Sequence, residues 1–186
     1  NDKLHDFLSL GEMPLVNSFL AGGELNITEP KFPLNLCFCD KCGLVQLDYL
    51  VPPDMMYKNY IYFSSTSDLM QSHFSELAQD VSNRFLSDNA FVVEIASNDG
   101  IVLRNFKRLG MRVLGIEPAS NIAEYANKSG IETLNEYWSS GLADGILKEH
   151  DRADAILANN VIGHVHDLHD FARGISILLK DGGIAV

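Results

Sequence analysis

The stretch from Ala96 to Gly100 reads Ala-Ser-Asn-Asp-Gly and follows the apolar run FVVEI, so it could form a ligand-binding turn. Small residues at its two ends would let the backbone approach a ligand closely, and the helix expected after it would offer N–H groups to an anion. Glu117 ends the next apolar run, about twenty residues further on, where an acid can accept both hydroxyls of a ribose. Each feature alone is equally typical of an ordinary turn or a solvated strand end. Together they predict a site for a ligand that contains a nucleoside.

A third polar cluster follows a later apolar run, in the segment ANNVIGHVHD. Asn159 and Asn160 come directly after this run, so their amides could meet a ligand at the same edge of a sheet. His164 follows in the loop, where it could act as an acid, a base or a hydrogen-bond partner of a substrate. His166 and His169 complete an H-x-H-x-x-H pattern that could hold a metal, although surface histidines near a helix start are the simpler interpretation.

Three cysteines, Cys37, Cys39 and Cys42, fall within six residues, and an odd number so close together is not typical of a disulfide framework. Cys39-x-x-Cys42 on a tight turn has the form of a zinc knuckle, which supplies two of the four ligands of a tetrahedral site. We expect Cys37 to project away from this pair. A redox C-x-x-C normally opens a helix of a thioredoxin-like unit, which nothing here fits; three buried apolar cysteines are the other alternative.

Strands and helices that alternate from about residue 90 onward must position these groups. The predicted strands are FVVEIA, RVLGIEP, IETLN, ADAILANN and IAV, with helices between them, the last through DLHDFARGISILLKDGG. This alternation is typical of βαβ crossovers and a parallel sheet. Upstream, SDLMQSHFSELAQDVSNRFL has apolar residues at helical spacing, and the first third of the chain has the short apolar runs of small strands.

We therefore predict an α/β protein in three parts. Residues 1–58 form a small β-rich module, residues 59–89 form a linker and connecting helix, and residues 90–186 form a Rossmann-like domain with a mostly parallel sheet. The sequence opens without a methionine and stops within a predicted strand, so we expect both ends to be incomplete.

Composition restricts the partners. The formal net charge of −11 argues against nucleic acid and against an anionic membrane surface, because the summed field repels phosphates. No apolar run approaches the roughly 18 residues of a membrane span, and the N-terminus lacks the pattern of a secretory signal. We expect a cytoplasmic protein; the oligomeric state is left open.

A family resemblance covers almost the whole chain. The segments FLSLGEMPLVNSF, CDKCGLVQL, YFSSTSDLMQSHF, VVEIASNDGIVLRNF, GIEPASNIA and NNVIGHV occur in this order. This order resembles that of the S-adenosylmethionine-dependent C-methyltransferases that act on nucleotide-linked keto-deoxysugars. The pattern E-x-small-x-x-x-G followed by an acid also resembles class I methyltransferases generally. The resemblance implies S-adenosylmethionine as cofactor, a nucleotide-sugar substrate, and a structural zinc in the full-length protein.

The resemblance also implies roles for single residues. Cofactor contacts are expected at Glu94, Ala96, Ser97, Asn98, Gly100, Glu117, Pro118, Asn159, Asn160 and Ser65. His164, Tyr60 and Tyr62 are expected near the substrate, with the main catalytic base after Val186, and Cys39 and Cys42 match the second pair of zinc ligands. Ala96 stands where many members have glycine, so the match is looser there.

Other functions fit the same residues. The same cofactor site would serve O- or N-methylation of a small molecule, without chemistry at carbon. A non-catalytic module that binds a nucleotide or S-adenosylmethionine is the alternative from another class. For Tyr60 and Tyr62, packing at the junction of two modules is an equally good interpretation.

Overall fold

The computed structural model describes residues 3–186, which form two compact units, one up to Ile61 and one from Tyr62 to Val186. The first unit is an antiparallel sheet whose strands lie in chain order, followed by a short helix. These elements are β1 (Leu4–Pro14), β2 (Lys31–Cys39), β3 (Val45–Leu47) and α1 (Pro53–Tyr57). A small β-rich module at this end of the chain is confirmed.

Cys37 and Cys39 lie on one face of β2, where both are buried, whereas Phe38 between them is 39% exposed. Side chains two residues apart in a strand point to the same face. The expectation that Cys37 projects away from the side of the sheet that Cys39 occupies was therefore wrong.

The second unit alternates helices with strands. In chain order its elements are a 3-10 turn (Ser64–Thr66), α2 (Asp68–Phe85), β4 (Phe91–Ile95), α3 (Leu103–Arg108), β5 (Arg112–Ile116), α4 (Ser120–Lys128), β6 (Thr133–Leu134), α5 (Ser140–Glu149), β7 (Ala153–Leu157), a second 3-10 turn (Ile162–His164), α6 (Leu168–Leu178) and β8 (Leu179–Ala185). The strands form one parallel sheet in the order β6-β5-β4-β7-β8. The predicted Rossmann-like α/β class is confirmed.

Apolar residues of β4 alternate between two hydrophobic cores, one on each side of the sheet. Val92 packs with the apolar stripe of α2, which includes Phe74, Ala78 and Val81. Val93 on the other face packs in the core that α5 and α6 close. All five residues of β4 are buried, as expected of a strand covered by helices on both faces.

The strand order reverses at β4, because β5 and β6 lie on one side of it and β7 and β8 on the other. Glu94 is level with Gly115 of β5 and Leu157 of β7. Open α/β sheets bind ligands at the carboxyl ends of their strands, beside such a reversal. The turn after β4 and the ends of β5 and β7 therefore meet where a ligand is expected.

The last predicted helix was too long, because α6 ends at Leu178 and β8 begins at Leu179. Leu179 pairs with Ala153 of β7, and Lys180 forms an ion pair with Asp154. Two glycines follow, and Gly182 has a φ of 76°. Glycine disfavours a helix interior, so strand pairing prevails here. Within residues 3–186, the helices are all too short or too polar to cross a bilayer.

Candidate functional site

The turn after β4 has a left-handed backbone at every second residue. The φ angles are 54° at Ala96, 48° at Asn98 and 75° at Gly100. Glycine adopts this region without cost and asparagine tolerates it, whereas for alanine it costs about 1–2 kcal/mol. Ala96 therefore holds backbone strain within this turn.

Gly100 is required by its φ and by packing. A Cβ at this position would lie 3.0 Å from Cγ1 and Cγ2 of Ile131, and the Gly100 N–H donates to the carbonyl of Ser97 at 3.0 Å. This reason differs from the predicted one, close approach of a ligand. The Ser97 side chain is buried against β5, since its Oγ lies 2.4 Å from where a Cβ on Gly115 would be.

The carboxylate of Glu117 lies beside this turn. Its Oε2 accepts the backbone N–H of Asn98 at 2.9 Å, and its Oε1 accepts that of Ala119 at 2.8 Å. Burial raises the pKa of Glu117, and the two N–H groups oppose the rise. The Asn135 side chain, which the sequence analysis missed, donates to the carbonyls of Glu117 and Pro118. Glu117 is therefore fixed at the turn from both sides.

Glu94 and Asn159 meet across the reversal point. Nδ2 of Asn159 donates to Oε1 of Glu94 at 3.3 Å, and Glu94 is only 3% exposed. Burial raises the pKa of Glu94 well above its ordinary value. The hydrogen bond from Asn159 opposes that rise, and the nearby carboxylates of Glu117 and Asp99 add to it.

Three buried carboxyl groups, of Glu94, Asp99 and Glu117, therefore meet around one turn. Within the part of the chain that the structure describes, Oε2 of Glu94 and Oδ1 of Asp99 accept no hydrogen bond. A buried charge without a partner is costly, and a cationic ligand would supply one. Asp99 was not among the predicted contacts; its only signal in the sequence is an acid between Asn98 and Gly100.

A segment before α2 is hydrogen-bonded to the same turn. Nδ2 of Asn98 donates to the carbonyl of Tyr62 at 3.0 Å, and Oδ1 of Asn98 accepts the N–H of Ser64 at 2.9 Å. Oδ2 of Asp99 accepts the N–H of Ser65 at 3.1 Å. Of the residues predicted before α2, the structure thus brings Ser65 and the Tyr62 backbone to the turn.

Tyr60 belongs to the first unit. Its hydroxyl accepts a hydrogen bond from Nδ2 of Asn17 at 3.2 Å, and its ring contacts that of Tyr57 edge-on, with centroids 6.1 Å apart. The two tyrosines predicted to act together therefore belong to different units.

The loop after β7 is more open. Asn160 is exposed with a φ of 55°, and His164 is exposed in the second 3-10 turn. His166 and His169 are exposed too. Among the described residues, the histidines take part in no group of three possible metal ligands.

The donor chemistry of Cys39 and Cys42 fits zinc. The backbone N–H of Cys42, then its thiol and the backbone N–H of Lys41, lower the pKa of Cys39, while burial opposes this. Cys42 is exposed on the turn that follows β2. Such N–H groups stabilise a thiolate, the form that binds zinc. These residues would hold two of four positions in a tetrahedral site.

Cys37 belongs to a different cluster. Its Sγ and carboxylate oxygens of Asp6 and Asp48 lie within 4.8 Å of one another, and the thiol donates to Oδ1 of Asp6 at 2.9 Å. That hydrogen bond first, then burial and the two negative charges, raises the pKa of Cys37 to about 11. The thiol is thus held in the protonated form, so this trio is better described as a hydrogen-bonded cluster than as a metal site.

An open groove of about 320 Å³ lies at the opposite, amino-terminal end of β4 and β5. Phe91 and Arg112 line it, with Lys107, Glu132 and His150. Lys107 donates to the carbonyl of Gly130, and Arg112 pairs with Asp151 outside the groove lining. The buried carboxyl groups of Glu94, Asp99 and Glu117 lie at the other, carboxyl end of the strands.

Comparison with known proteins identifies the family. Residues 70–186 match the family described as "Methyltransferase domain". The chain belongs to this methyltransferase family. Residues 1–57 match a second family, described as "Putative zinc binding domain", which agrees with the predicted order of the two parts.

Individual relatives of this chain are also named methyltransferases. It is 31% identical over 185 residues to the C-methyltransferase NovU of Streptomyces niveus, a match over 99% of this chain and 44% of NovU. It is 32% identical over 99 residues to a ubiquinone biosynthesis O-methyltransferase of Rhodopseudomonas palustris, covering 51% of this chain and 37% of that protein. The chain thus spans less than half the length of either relative.

A solved structure shares the fold. The crystal structure of "a putative s-adenosyl-l-methionine-dependent methyltransferase" from Methanococcus maripaludis superposes with a TM-score of 0.50 at 16% identity. The superposition covers 70% of this chain and 65% of that one. At this identity the likeness concerns the fold alone.

Proposed function

We propose that this chain is the portion of an S-adenosylmethionine-dependent methyltransferase that binds the cofactor at the turn after β4. The three buried carboxyl groups of Glu94, Asp99 and Glu117 carry this proposal. S-adenosylmethionine has an ammonium and a sulfonium, both cationic, so it would supply the charge that these carboxylates lack. The diphosphate of a nicotinamide dinucleotide would be repelled by them.

In this proposal each residue group has one task. Glu94 and Asp99 offer buried oxygens to the cationic part of the cofactor, and Glu117 offers its remaining lone pairs to the ribose hydroxyls. Asn159 and Asn160 line the far side, and Ala96, Ser97 and Gly100 shape the turn. When bound, the cofactor supplies an electrophilic methyl group, so the chemistry itself needs no metal.

We further propose carbon as the methyl acceptor and a nucleotide-linked keto-deoxysugar as the substrate. The support is the similarity to NovU, which is named a C-methyltransferase and matches along 99% of this chain, together with the ordered motifs in the sequence. Methylation beside a ketone requires a base to remove a proton from that carbon, which leaves an enolate. His164, exposed after β7, would hydrogen-bond the substrate or take this proton.

Titration calorimetry tests the cofactor assignment on this chain. S-adenosylhomocysteine and S-adenosylmethionine should bind and NAD should not. Glu117→Gln should weaken binding of S-adenosylhomocysteine by about tenfold, the value of one hydrogen bond to a charged group. Glu132→Gln, which alters the groove at the opposite end of the strands, should leave it unchanged. Selective binding of NAD, or a loss only in Glu132→Gln, would overturn the assignment.

The acceptor atom is tested on the complete gene product. When the protein is incubated with a nucleotide keto-deoxysugar in D₂O, deuterium should exchange into the carbon beside the ketone. When S-adenosylmethionine is added, NMR should show the methyl group on that same carbon. The O-methyltransferase relative gives the alternative outcome: a methyl group on oxygen without deuterium exchange would assign O-methylation.

We also propose a structural zinc held in part by Cys39 and Cys42. The support is the lowered pKa of Cys39, first through hydrogen bonding from Cys42, and the position of both cysteines at the tight turn after β2, where the Gly43 N–H donates to the Cys39 carbonyl. Two more ligands are needed to complete four, so metal content should be measured on the complete gene product.

A further inference from the structure

Three hydrogen bonds join the turn after β4 to residues 62–66, which we call the serine segment. Two come from one side chain, since the Asn98 amide pairs with the carbonyl of Tyr62 and the N–H of Ser64. The third joins the N–H of Ser65 to Asp99. The Asn98 amide thus uses both its donor and its acceptor on the segment, as a neighbouring strand would.

Two further contacts hold the serine segment from its other sides. The ring of Phe63 packs edge-on against that of Tyr125 on α4, with centroids 5.2 Å apart. Nε2 of Gln71 on α2 donates to the carbonyl of Ser65 at 2.9 Å. The segment is therefore held by the β4 turn, α2 and α4 together, which defines its position.

Asn98 is committed within the protein rather than to a ligand. Its N–H donates to Glu117, and its side-chain oxygen and one amide hydrogen bind the serine segment. Asp99 belongs to the carboxyl cluster, the buried carboxyl groups of Glu94, Asp99 and Glu117, and it also binds the serine segment. Its Oδ2 accepts the N–H of Ser65, whereas its buried Oδ1 accepts no hydrogen bond among the described residues. A ligand that reaches Oδ1 of Asp99 must therefore lie next to Ser65.

We propose that Asn98 is a positioning residue that holds the serine segment in place as one wall of the cofactor site. This inference rests on the proposed function and replaces the predicted contact between Asn98 and the cofactor. Loss of the Asn98 amide would release the segment from the turn and open one side of the site. The cofactor would then bind more weakly, although no group that contacts it had been removed.

Asn98→Gly tests this role, because glycine keeps the left-handed φ of 48° and removes only the amide. Asn89→Gly is the matched control, since Asn89 has a φ of 59° in an exposed turn before β4. Two quantities should be measured: amide hydrogen exchange at Ser64 and Ser65, with and without S-adenosylhomocysteine, and the Kd of that ligand. The urea midpoint of each variant accounts for changes in global stability.

In Asn98→Gly, exchange at Ser64 should accelerate by about tenfold and the Kd should rise by about tenfold. Asn89→Gly should change neither, and the ligand should slow exchange at Ser64 and Ser65 in the wild-type chain. Faster exchange with an unchanged Kd would show that the serine segment does not form a wall of the cofactor site. Unchanged exchange would show that the Asn98 amide does not hold the segment in place. If the wild-type chain bound no S-adenosylhomocysteine, the proposed function would fail, and the role of the serine segment as a wall of the cofactor site would fail with it. Amide exchange in the ligand-free chain would still test whether Asn98 holds the serine segment in place.

Discussion

The Asn159 amide donates to Glu94 at 3.3 Å, from the end of one strand to the end of its neighbour, at the point where the strand order of the sheet reverses. Only one oxygen of Glu94 receives this bond, and the other lies buried beside Asp99 and Glu117. The carboxyl cluster therefore has unequal members. Both oxygens of Glu117 accept N–H groups, whereas in the described part of the chain Glu94 accepts a hydrogen bond at one oxygen only. This difference predicts opposite effects of the same substitution.

Glu94→Gln should stabilise the ligand-free chain increasingly as the pH rises. The pKa of Glu94 is raised, first by burial, so the folded state binds more protons than the unfolded state above the ordinary glutamate pKa of about 4.3. Stability is then full below that pH and is lost as the pH rises toward the folded pKa. Glutamine removes this loss, with a slope of at most about 1.4 kcal/mol per pH unit.

Urea unfolding from pH 4.5 to 8 measures this effect as the difference between variant and wild type. Glu136→Gln, at an exposed loop position, is the control and should show a constant difference. The same Glu94→Gln chain should bind S-adenosylhomocysteine more weakly, because the cationic ammonium of the ligand loses a carboxylate partner. If Glu94→Gln lost stability relative to the wild type as the pH rises, the result would contradict the raised pKa of Glu94.

Glu117→Gln should instead destabilise the chain by about 1–3 kcal/mol at pH 7.5. Glutamine has one acceptor oxygen, so either the N–H of Asn98 or that of Ala119 loses its partner in a buried place. Urea unfolding gives the value directly. An effect within about 0.5 kcal/mol, the usual range of a surface substitution, would mean that the two N–H bonds do not hold the turn in solution.

Ala96→Gly should stabilise the chain by about 0.5–1 kcal/mol. Relief of the left-handed φ of 54° recovers about 1–2 kcal/mol, and the added freedom of the unfolded chain removes about 0.4–1 kcal/mol of that gain. Ala172→Gly, at an exposed position within α6, should have the opposite sign and lose about 0.5–1 kcal/mol. Thermal and urea unfolding of both variants compare the signs, and equal losses would exclude strain at Ala96.

The three cysteines should differ in alkylation by iodoacetamide at pH 8 in the metal-free chain. Cys37 should react slowest, because it is buried and its pKa is about 11, so only about one thiol in a thousand is ionised. Cys42 is exposed and should react first. Peptide mass spectrometry over time gives the order. Rapid labelling of Cys37 in the folded chain would show that its bond to Asp6 does not persist.

Zinc content should depend on two of the three cysteines. In the complete gene product, Cys39→Ser or Cys42→Ser should lower bound zinc, measured by plasma mass spectrometry. Cys37→Ser is the control and should keep the wild-type content. An equal loss in all three variants would assign Cys37 to the site, against its hydrogen bond to Asp6.

The sequence by itself determined the fold class. The alternation of apolar runs and helical patterns after residue 90 predicts a parallel sheet, since periodicity within each element is local. It also placed Glu94, Glu117 and Asn159 at the ends of strands, because a side chain's position along its own strand is local too. The limits of this reasoning appear at α6, where helical spacing continued past Leu178 but pairing with β7 ended the helix.

Only the tertiary structure decided which partners these residues have. The bonds that define the site join residues 34 positions apart for Asn98 and Ser64, and 65 apart for Asn159 and Glu94. Likewise, the tertiary structure assigns Tyr60 and Tyr62 to different units. It also pairs Oδ2 of Asp99 with Ser65, whereas Oδ1 has no hydrogen-bond partner within residues 3–186. Such pairings depend on how strands and helices pack, and a hydrogen bond between distant segments leaves no periodic trace in the sequence of either one.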